Sequence, residues 1–220
     1  MLHNLSVLVP ALLKGALITI QVTVISLGLG FLGGVLLAVI RVYGGKIPSI
    51  LAAAYSMVIR ATPLLLTVLI LYFVITGIVD LPPFWAGSLA LAIGSSAYQS
   101  EIFRGAIQSV SSGQMLAARS IGMSRIQAIY HIILPQAIRN AVAPWSNEAA
   151  IILKDSSLVY VLGVPEILRQ AQYFSARTYE PFLAFGSAAF LYFIMTFAAN
   201  RGLDRLEKKL EIPGLIMESQ

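Results

Sequence analysis

The sequence predicts an all-α membrane protein with five transmembrane helices, and three observations carry that prediction. Of the 220 residues, 58% are hydrophobic and only 11% are charged, whereas a soluble domain averages about 25% charged residues. Asp, Glu, Lys and Arg are absent between Lys14 and Arg41, between Arg60 and Asp80, between Asp80 and Glu101, and between Glu180 and Arg201. About 20 helical residues cross a hydrocarbon core of about 30 Å, and each gap is about that long or longer. The basic residues cluster at the ends of apolar segments rather than on one face, so the net charge of +5 and pI of 9.6 do not point to nucleic acid.

The first span is expected at about 16–40. It lacks the basic start and small-residue cleavage site of a signal peptide, so it is expected to be retained. Its Gly30 and Gly34 form a small-residue pair at the spacing that lets two helices pack closely. The second span is expected at about 62–79, preceded by a milder apolar stretch over 47–59 that suits the interface. The third, fourth and fifth are expected at about 84–102, 137–153 and 181–200. Each segment must satisfy its backbone polar groups internally in lipid, which makes it a helix. With five spans, eleven of the fifteen Lys and Arg fall on one side, from Arg41 and Lys46 to Lys208 and Lys209. That side is expected to be cytoplasmic, with the N-terminus outside and the C-terminus inside. The segment over 103–136 is then a cytoplasmic loop.

Within that loop, Ser111 followed by Gln114 fits a capping box and predicts a short helix that ends near Gly122. Ala117 and Ala118 keep part of it small. Met115, Leu116 and Ile121 place apolar side chains on a cytoplasmic element, which calls for a docked partner or for packing on the protein's own membrane ends.

The same loop resembles that of ATP-binding-cassette importer permeases, whose pattern is Glu-Ala-Ala, three residues, Gly, nine residues, Ile, one residue, Leu-Pro. Here Ala117, Ala118, Gly122, Ile132, Leu134 and Pro135 hold those places, and Leu116 stands where the family has glutamate. Further matches narrow the likeness to polar amino-acid permeases of the histidine/glutamine/arginine type. These are Arg60-Ala61-Thr62-Pro63-Leu64-Leu65, Ala97-Tyr98, Glu101-Ile102-Phe103-Arg104-Gly105, Lys154-Asp155-Ser156-Ser157-Leu158 and Ile212-Pro213-Gly214. The resemblance implies a type I permease fold. It implies that Gly113, Gln114, Met115, Leu116, Ala117, Ala118, Arg119 and Gly122 belong to a coupling helix that seats on a separate ATPase subunit. It also implies a second permease copy or close homologue, an extracytoplasmic solute-binding protein, and a place in a prokaryotic inner membrane. ATP and Mg would be held by the ATPase, with no cofactor in this chain.

The fourth span is the least lipid-like. Asn147 and Glu148 lie near its middle, and Lys154 and Asp155 lie at its outer end. A charge at the bilayer centre costs about 2.5–3.5 kcal/mol on insertion scales and should face protein or water. Glu148 and Asp155, seven residues apart, share a face, as do Tyr98 and Glu101. With Asn147 and Ser156 they form the expected substrate path, where a carboxylate could meet the ammonium of an amino acid. Each has a structural alternative: a hydrogen bond between helices for Glu148, an ion pair with Arg104 for Glu101, and a local ion pair or clasp for Lys154 and Asp155.

Cysteine is absent, so disulfides and thiolate metal sites are excluded. His3 and His131 are isolated, in no metal-spaced cluster. No Gly-x-x-x-x-Gly-Lys-Ser/Thr loop occurs, so ATP hydrolysis by that mechanism is not expected of this chain. No nucleophile–base set suggests an intramembrane enzyme. The alternative to an ATP-driven permease is an ion-gradient-driven transporter or channel, but inverted repeats, its expected mark, are not visible.

Overall fold

The computed structural model describes residues 2–210; the Ile212-Pro213-Gly214 match and the side chain of His3 lie outside the described residues. The described chain folds into helices α1 (Leu2–Tyr43), α2 (Lys46–Ala61), α3 (Leu64–Thr76), α4 (Pro83–Ser109), α5 (Ser112–Ser120), α6 (Arg125–Ala128), α7 (Leu134–Asp155), α8 (Ile167–Thr178) and α9 (Pro181–Leu210). A π-helical turn over Ile129–Ile133 joins α6 to α7, and a 3-10 turn over Ser156–Leu162 follows α7. The π turn precedes Pro135, which has no N–H to give and whose ring crowds the carbonyl four residues back.

Among the described residues, two helices are long and apolar enough to cross a membrane by themselves, within Asn4–Tyr43 and Pro181–Lys209. Both present apolar side chains outward, among them Leu17, Val24, Leu32, Phe190 and Phe193. The first begins well before the predicted boundary, because the exposed Lys14 and the internal Pro10 interrupt the apolar run without ending the helix. The expected second span is corrected. Lys46–Ala61 and Leu64–Val74 are two limbs bent by 107° at Thr62–Pro63. At 1.5 Å per residue neither limb reaches the thickness of a hydrocarbon core alone. The 47–59 stretch is therefore one limb of a bent helix pair and does not lead into a straight span.

The third and fourth predicted spans fall inside α4 and α7. These have the length to cross a bilayer, but their polar residues are turned inward. Ser88, Ser95, Ser96, Gln99 and Ser100 of α4 and Glu148 of α7 are buried. The expected loop over 103–136 is mostly helical: α4 runs on to Ser109, and helix resumes at Arg125 after α5.

α1 and α4 form the central pair. Ser26 Oγ donates to the Ser88 carbonyl at 3.0 Å. A Cβ at Gly30 would lie 2.8 Å from Gln99 Nε2, and one at Gly34 would lie 2.7 Å from Gln99 Cβ and 3.1 Å from the Gln99 carbonyl carbon. The Gly30/Gly34 pair is thus a site of close helix packing. Three apolar clusters are arrayed along this pair. Phe103, Ile107, Ile133 and Ala137 pack with α1 near Ala38. Val22, Val68, Leu91 and Val159 form the second cluster. Leu8, Leu12, Ile167 and Phe174 tie α8 to α1 and α9.

Gly34→Ala should push α1 off α4 and destabilise the fold by about 1–3 kcal/mol. Gly28→Ala, where nothing lies within 4 Å of the added carbon, should leave thermal unfolding of the detergent-solubilised protein unchanged or slightly improved. Equal melting of the two variants would refute the close-approach account.

Candidate functional site

The break between α2 and α3 opens a cavity. Pro63 lacks an N–H, and Thr62 before it is extended (φ −92°, ψ 132°), as the residue ahead of a proline prefers. The space of about 430 Å³ is lined by Arg60, Thr62 and Pro63 at the break, Ser95 and Tyr98 of α4, and Glu148, Ile151 and Asp155 of α7. One cation and two carboxylates therefore share a recess beside the middle of α4 and the C-terminal third of α7. The Arg60 guanidinium lies 5.3 Å from the centroid of the Tyr98 ring, a cation–π arrangement.

Glu148 is only 5% exposed and is held by a string of hydrogen bonds. Ser95 Oγ donates to Glu148 Oε1 at 2.9 Å. Gln99 Nε2 donates to Ser95 Oγ at 2.9 Å and to the Leu27 carbonyl at 3.3 Å. Trp145 Nε1 donates to Gln99 Oε1 at 2.8 Å. One polar string thus crosses α1, α4 and α7, and its last carboxylate reaches the cavity.

Away from the cavity, α5 is anchored on one side and open on the other. Ala118 is buried and Met115 packs against the cluster around Phe103. Leu116 and Ile121 are 71% and 79% exposed, and Gly113, Gln114, Ala117, Arg119 and Gly122 are exposed with them. Gly122 has φ +87°, a left-handed conformation that glycine adopts without a Cβ penalty. Its N–H bonds to the Arg119 carbonyl and the Met123 N–H to the Ala118 carbonyl, both at 3.1 Å, the Schellman pattern that ends a helix. The expected capping box at Ser111 is corrected. Ser111 makes no side-chain cap, because its own carbonyl accepts the Gln114 N–H at 3.0 Å. The box forms instead between Ser124 and Gln127 at the start of α6.

Over residues 30–212 the sequence matches the family described as the inner membrane component of binding-protein-dependent transport systems. The chain belongs to this family. As such it is the membrane-spanning permease subunit of an ATP-binding-cassette importer, not a gradient-driven carrier. The permease is 34% identical over 207 residues to the glutamine transport system permease protein GlnP of Escherichia coli K12, covering 93% of this chain and 94% of that one. It is 39% identical to the probable glutamine ABC transporter permease protein GlnM of Bacillus subtilis, covering 88% and 90%. It is 36% identical to the nopaline transport system permease protein NocM of Agrobacterium fabrum, covering 87% and 84%. Among solved structures it is similar to a chain of an amino acid ABC transporter determined with histidines, at 37% identity and TM-score 0.82, covering 91% and 94%. An inward-facing MetNI methionine ABC transporter chain shares the fold at TM-score 0.82 and 17% identity, covering 92% and 97%.

The permease brings only some of the sequence-selected path residues together. Tyr98, Glu148 and Asp155 line the cavity. Glu101 does not. It pairs directly with Arg41, accepts from Arg104 Nε and Nη2 at 2.9 and 2.8 Å, and lies 3.6 Å from Arg60. Sharing a helix face with Tyr98 was outweighed by three guanidinium groups from three helices. Ser156 is fully buried with its hydroxyl on the Leu153 carbonyl, and Asn147 is exposed on another face of α7. Lys154 is exposed and forms no ion pair with Asp155 among the described residues. His131 is exposed and meets Tyr130 edge-on at 5.0 Å.

Sequence reasoning missed Arg60, Ser95, Gln99 and Trp145 as site residues. Arg60 was counted with the basic end of a span, although its Arg-Ala-Thr-Pro context was a usable signal. It also missed a second buried carboxylate. Glu166 is fully buried, caps α8 by accepting from Leu168 and Arg169 N–H at 2.8 and 2.7 Å, and accepts from Tyr192 Oη at 2.7 Å.

Glu101→Ala should strand Arg41, whose side chain is only 15% exposed, and lower stability by about 1.5–3 kcal/mol, the scale of a lost charge-assisted hydrogen bond. Unfolding of the purified subunit by circular dichroism should show this loss while the Glu148 string stays intact. An unchanged midpoint would mean that the Glu101 cluster contributes nothing to the fold.

Proposed function

We propose that this permease carries a polar amino acid through the cavity at the α2–α3 break. The observation that carries the reading is the convergence of Arg60, Glu148 and Asp155 on one recess between the middle of α4 and the C-terminal third of α7. A zwitterionic amino acid presents an ammonium and a carboxylate a few ångströms apart. Glu148 and Asp155 suit the ammonium, and the Arg60 guanidinium suits the carboxylate, which it can meet with paired N–H groups. Tyr98 gives the recess an aromatic wall. Relatives described as glutamine and nopaline permeases support this substrate class.

The transport cycle is alternating access driven by a separate ATPase subunit that holds ATP and Mg. Two permease copies, or one copy and a close homologue, flank the path. Each α5 seats its exposed face, with Leu116, Ala117 and Ile121, on one ATPase. Leu116 in place of the family's glutamate makes that contact apolar where a carboxylate would have been polar. Because Met115 packs α5 against the α1–α4–α7 cluster, movement of the ATPase is passed to the helices that line the cavity. A solute-binding protein delivers cargo at the opposite face. There the 155–179 segment stands over the path, with the N-terminus outside and the C-terminus in the cytoplasm.

With the reconstituted complex, a panel of amino acids should include at least one polar member that stimulates ATP hydrolysis. Glu148→Gln should reduce its transport by about 10- to 100-fold, the equivalent of one charge-assisted hydrogen bond of about 1.5–3 kcal/mol, with the complex still assembled. Full transport by Glu148→Gln would remove Glu148 from the path.

Deleting residues 115–122 should abolish co-purification of the ATPase subunit. Retained binding would show that α5 is not the docking element.

A further inference from the structure

The second half of α9 carries aromatic and basic side chains on the face that turns away from the bundle. Ala184, Ala188, Leu191 and Met195 face inward, in the cluster with Leu8 and Ile167. On the other side Phe190, Phe193 and Phe197 are 65%, 64% and 52% exposed. Arg201, Arg205 and Lys208 continue that stripe at four- and three-residue steps, which keep neighbours on one helix face, and all three are exposed. The Phe193 and Phe197 rings stack with centroids 6.2 Å apart. The Arg201 guanidinium lies 5.1 Å from the centroid of the Phe197 ring, a cation–π arrangement that places it at the head of the aromatic run. Among the described residues none of the three cations forms an ion pair. Three cations against one acid, Asp204, leave the stripe net positive. Glu207 is turned aside from Lys208 by about 100°.

Depth along the helix selects the ligand. The charge-free run from Pro181 to Asn200 makes about 30 Å of helix, the thickness of a hydrocarbon core. Arg201 then stands at the edge of the core, with Arg205 about 6 Å and Lys208 about 10 Å beyond it. The headgroup layer on each side is about 5–8 Å deep. The two arginines therefore lie at the level of lipid phosphates, and the three phenylalanines lie at the level of the acyl chains. A soluble acidic protein could meet Lys208 but would not reach Phe197.

We propose that this stripe binds a phospholipid of net negative charge. Arg201 and Arg205 take its phosphate, Lys208 adds charge, and an acyl chain lies along Phe197, Phe193 and Phe190. A guanidinium meets two phosphate oxygens with paired N–H groups. A zwitterionic lipid brings an ammonium of its own, which these cations repel. The stripe lies on α9, apart from the cavity at the α2–α3 break, so the assignment does not depend on what that cavity carries.

The test uses the permease with its ATPase subunit, in nanodiscs of phosphatidylethanolamine and phosphatidylglycerol in equal parts. Native mass spectrometry after release into detergent counts the lipids retained. The wild type should keep phosphatidylglycerol in preference to phosphatidylethanolamine, and added salt should weaken that preference. Arg201→Gln/Arg205→Gln/Lys208→Gln should lower it by about tenfold or more, since each cation near a lipid surface contributes about fivefold. Lys46→Gln/Arg139→Gln, which removes two exposed charges elsewhere, should leave it unchanged. If the triple variant fails to assemble, Arg201→Gln alone reads the same site. No preference in the wild type, or an equal loss in the control pair, overturns the proposal. Loss of the ATPase with the lipid retained would assign the stripe to the ATPase and overturn it as well.

Discussion

A carboxylate in the middle of a lipid-embedded helix is the constraint around which this protein is arranged. Glu148 must be surrounded by protein, and the string through Ser95, Gln99 and Trp145 provides that surrounding. The string requires α1 and α4 to approach closely, because Gln99 also reaches the Leu27 carbonyl. Gly30 and Gly34 permit this approach. The small residues of α4, from Ala86 to Ala97, let it stand at the centre with α1, α3 and α7 against it. A half-satisfied polar network in a low-dielectric interior would cost more than none, so packing and polarity in this bundle depend on each other.

Charge is distributed between two neighbouring tasks. Glu101 gathers Arg41, Arg60 and Arg104 into a cluster that fastens α1, α2 and α4. One helical turn away, Arg60 faces the cavity and lies over the Tyr98 ring. Arg60 is therefore shared between a structural cluster and the recess, and movement of the α2 limb alters both. Glu166 does for α8 what Glu148 does for α7: a buried acid draws an element onto the bundle through backbone N–H groups and Tyr192. α5 is held to the bundle through Met115, which packs against the cluster around Phe103.

Much of this was legible in the sequence because lipid imposes a one-dimensional rule. Charge-free lengths near 20 residues marked α1, α4 and α9, and the low charge of the fourth segment with Glu148 at its middle marked α7. The spacing from Ala117 to Pro135 marked α5, where Gly122 supplies the left-handed residue that ends the helix. The second span was misread for a physical reason. A Thr-Pro step is a probable boundary in sequence, but whether the chain continues straight or turns by 107° depends on what fills the angle. Here Leu64 packs at Gly94, whose missing Cβ leaves the room. The Ser111 cap failed similarly, because two segments carry Ser-x-x-Gln and backbone geometry, not composition, chose the second.

Sequence alone determined the solvent of this protein, its helical class, its kinship and where its ionisable residues fall relative to the apolar segments, since hydropathy and motif spacing are properties of the linear chain. Tertiary structure decided which charges share a space. Glu101 and Glu148 are both acids within apolar helices, yet one is neutralised by arginines from three helices and the other reaches a cavity through a serine. Asn147 and Glu148 are adjacent in sequence and point to different faces, because a helix turns about 100° per residue. Proximity across helices separated by tens of residues is set by packing, and no periodicity within a single segment encodes it.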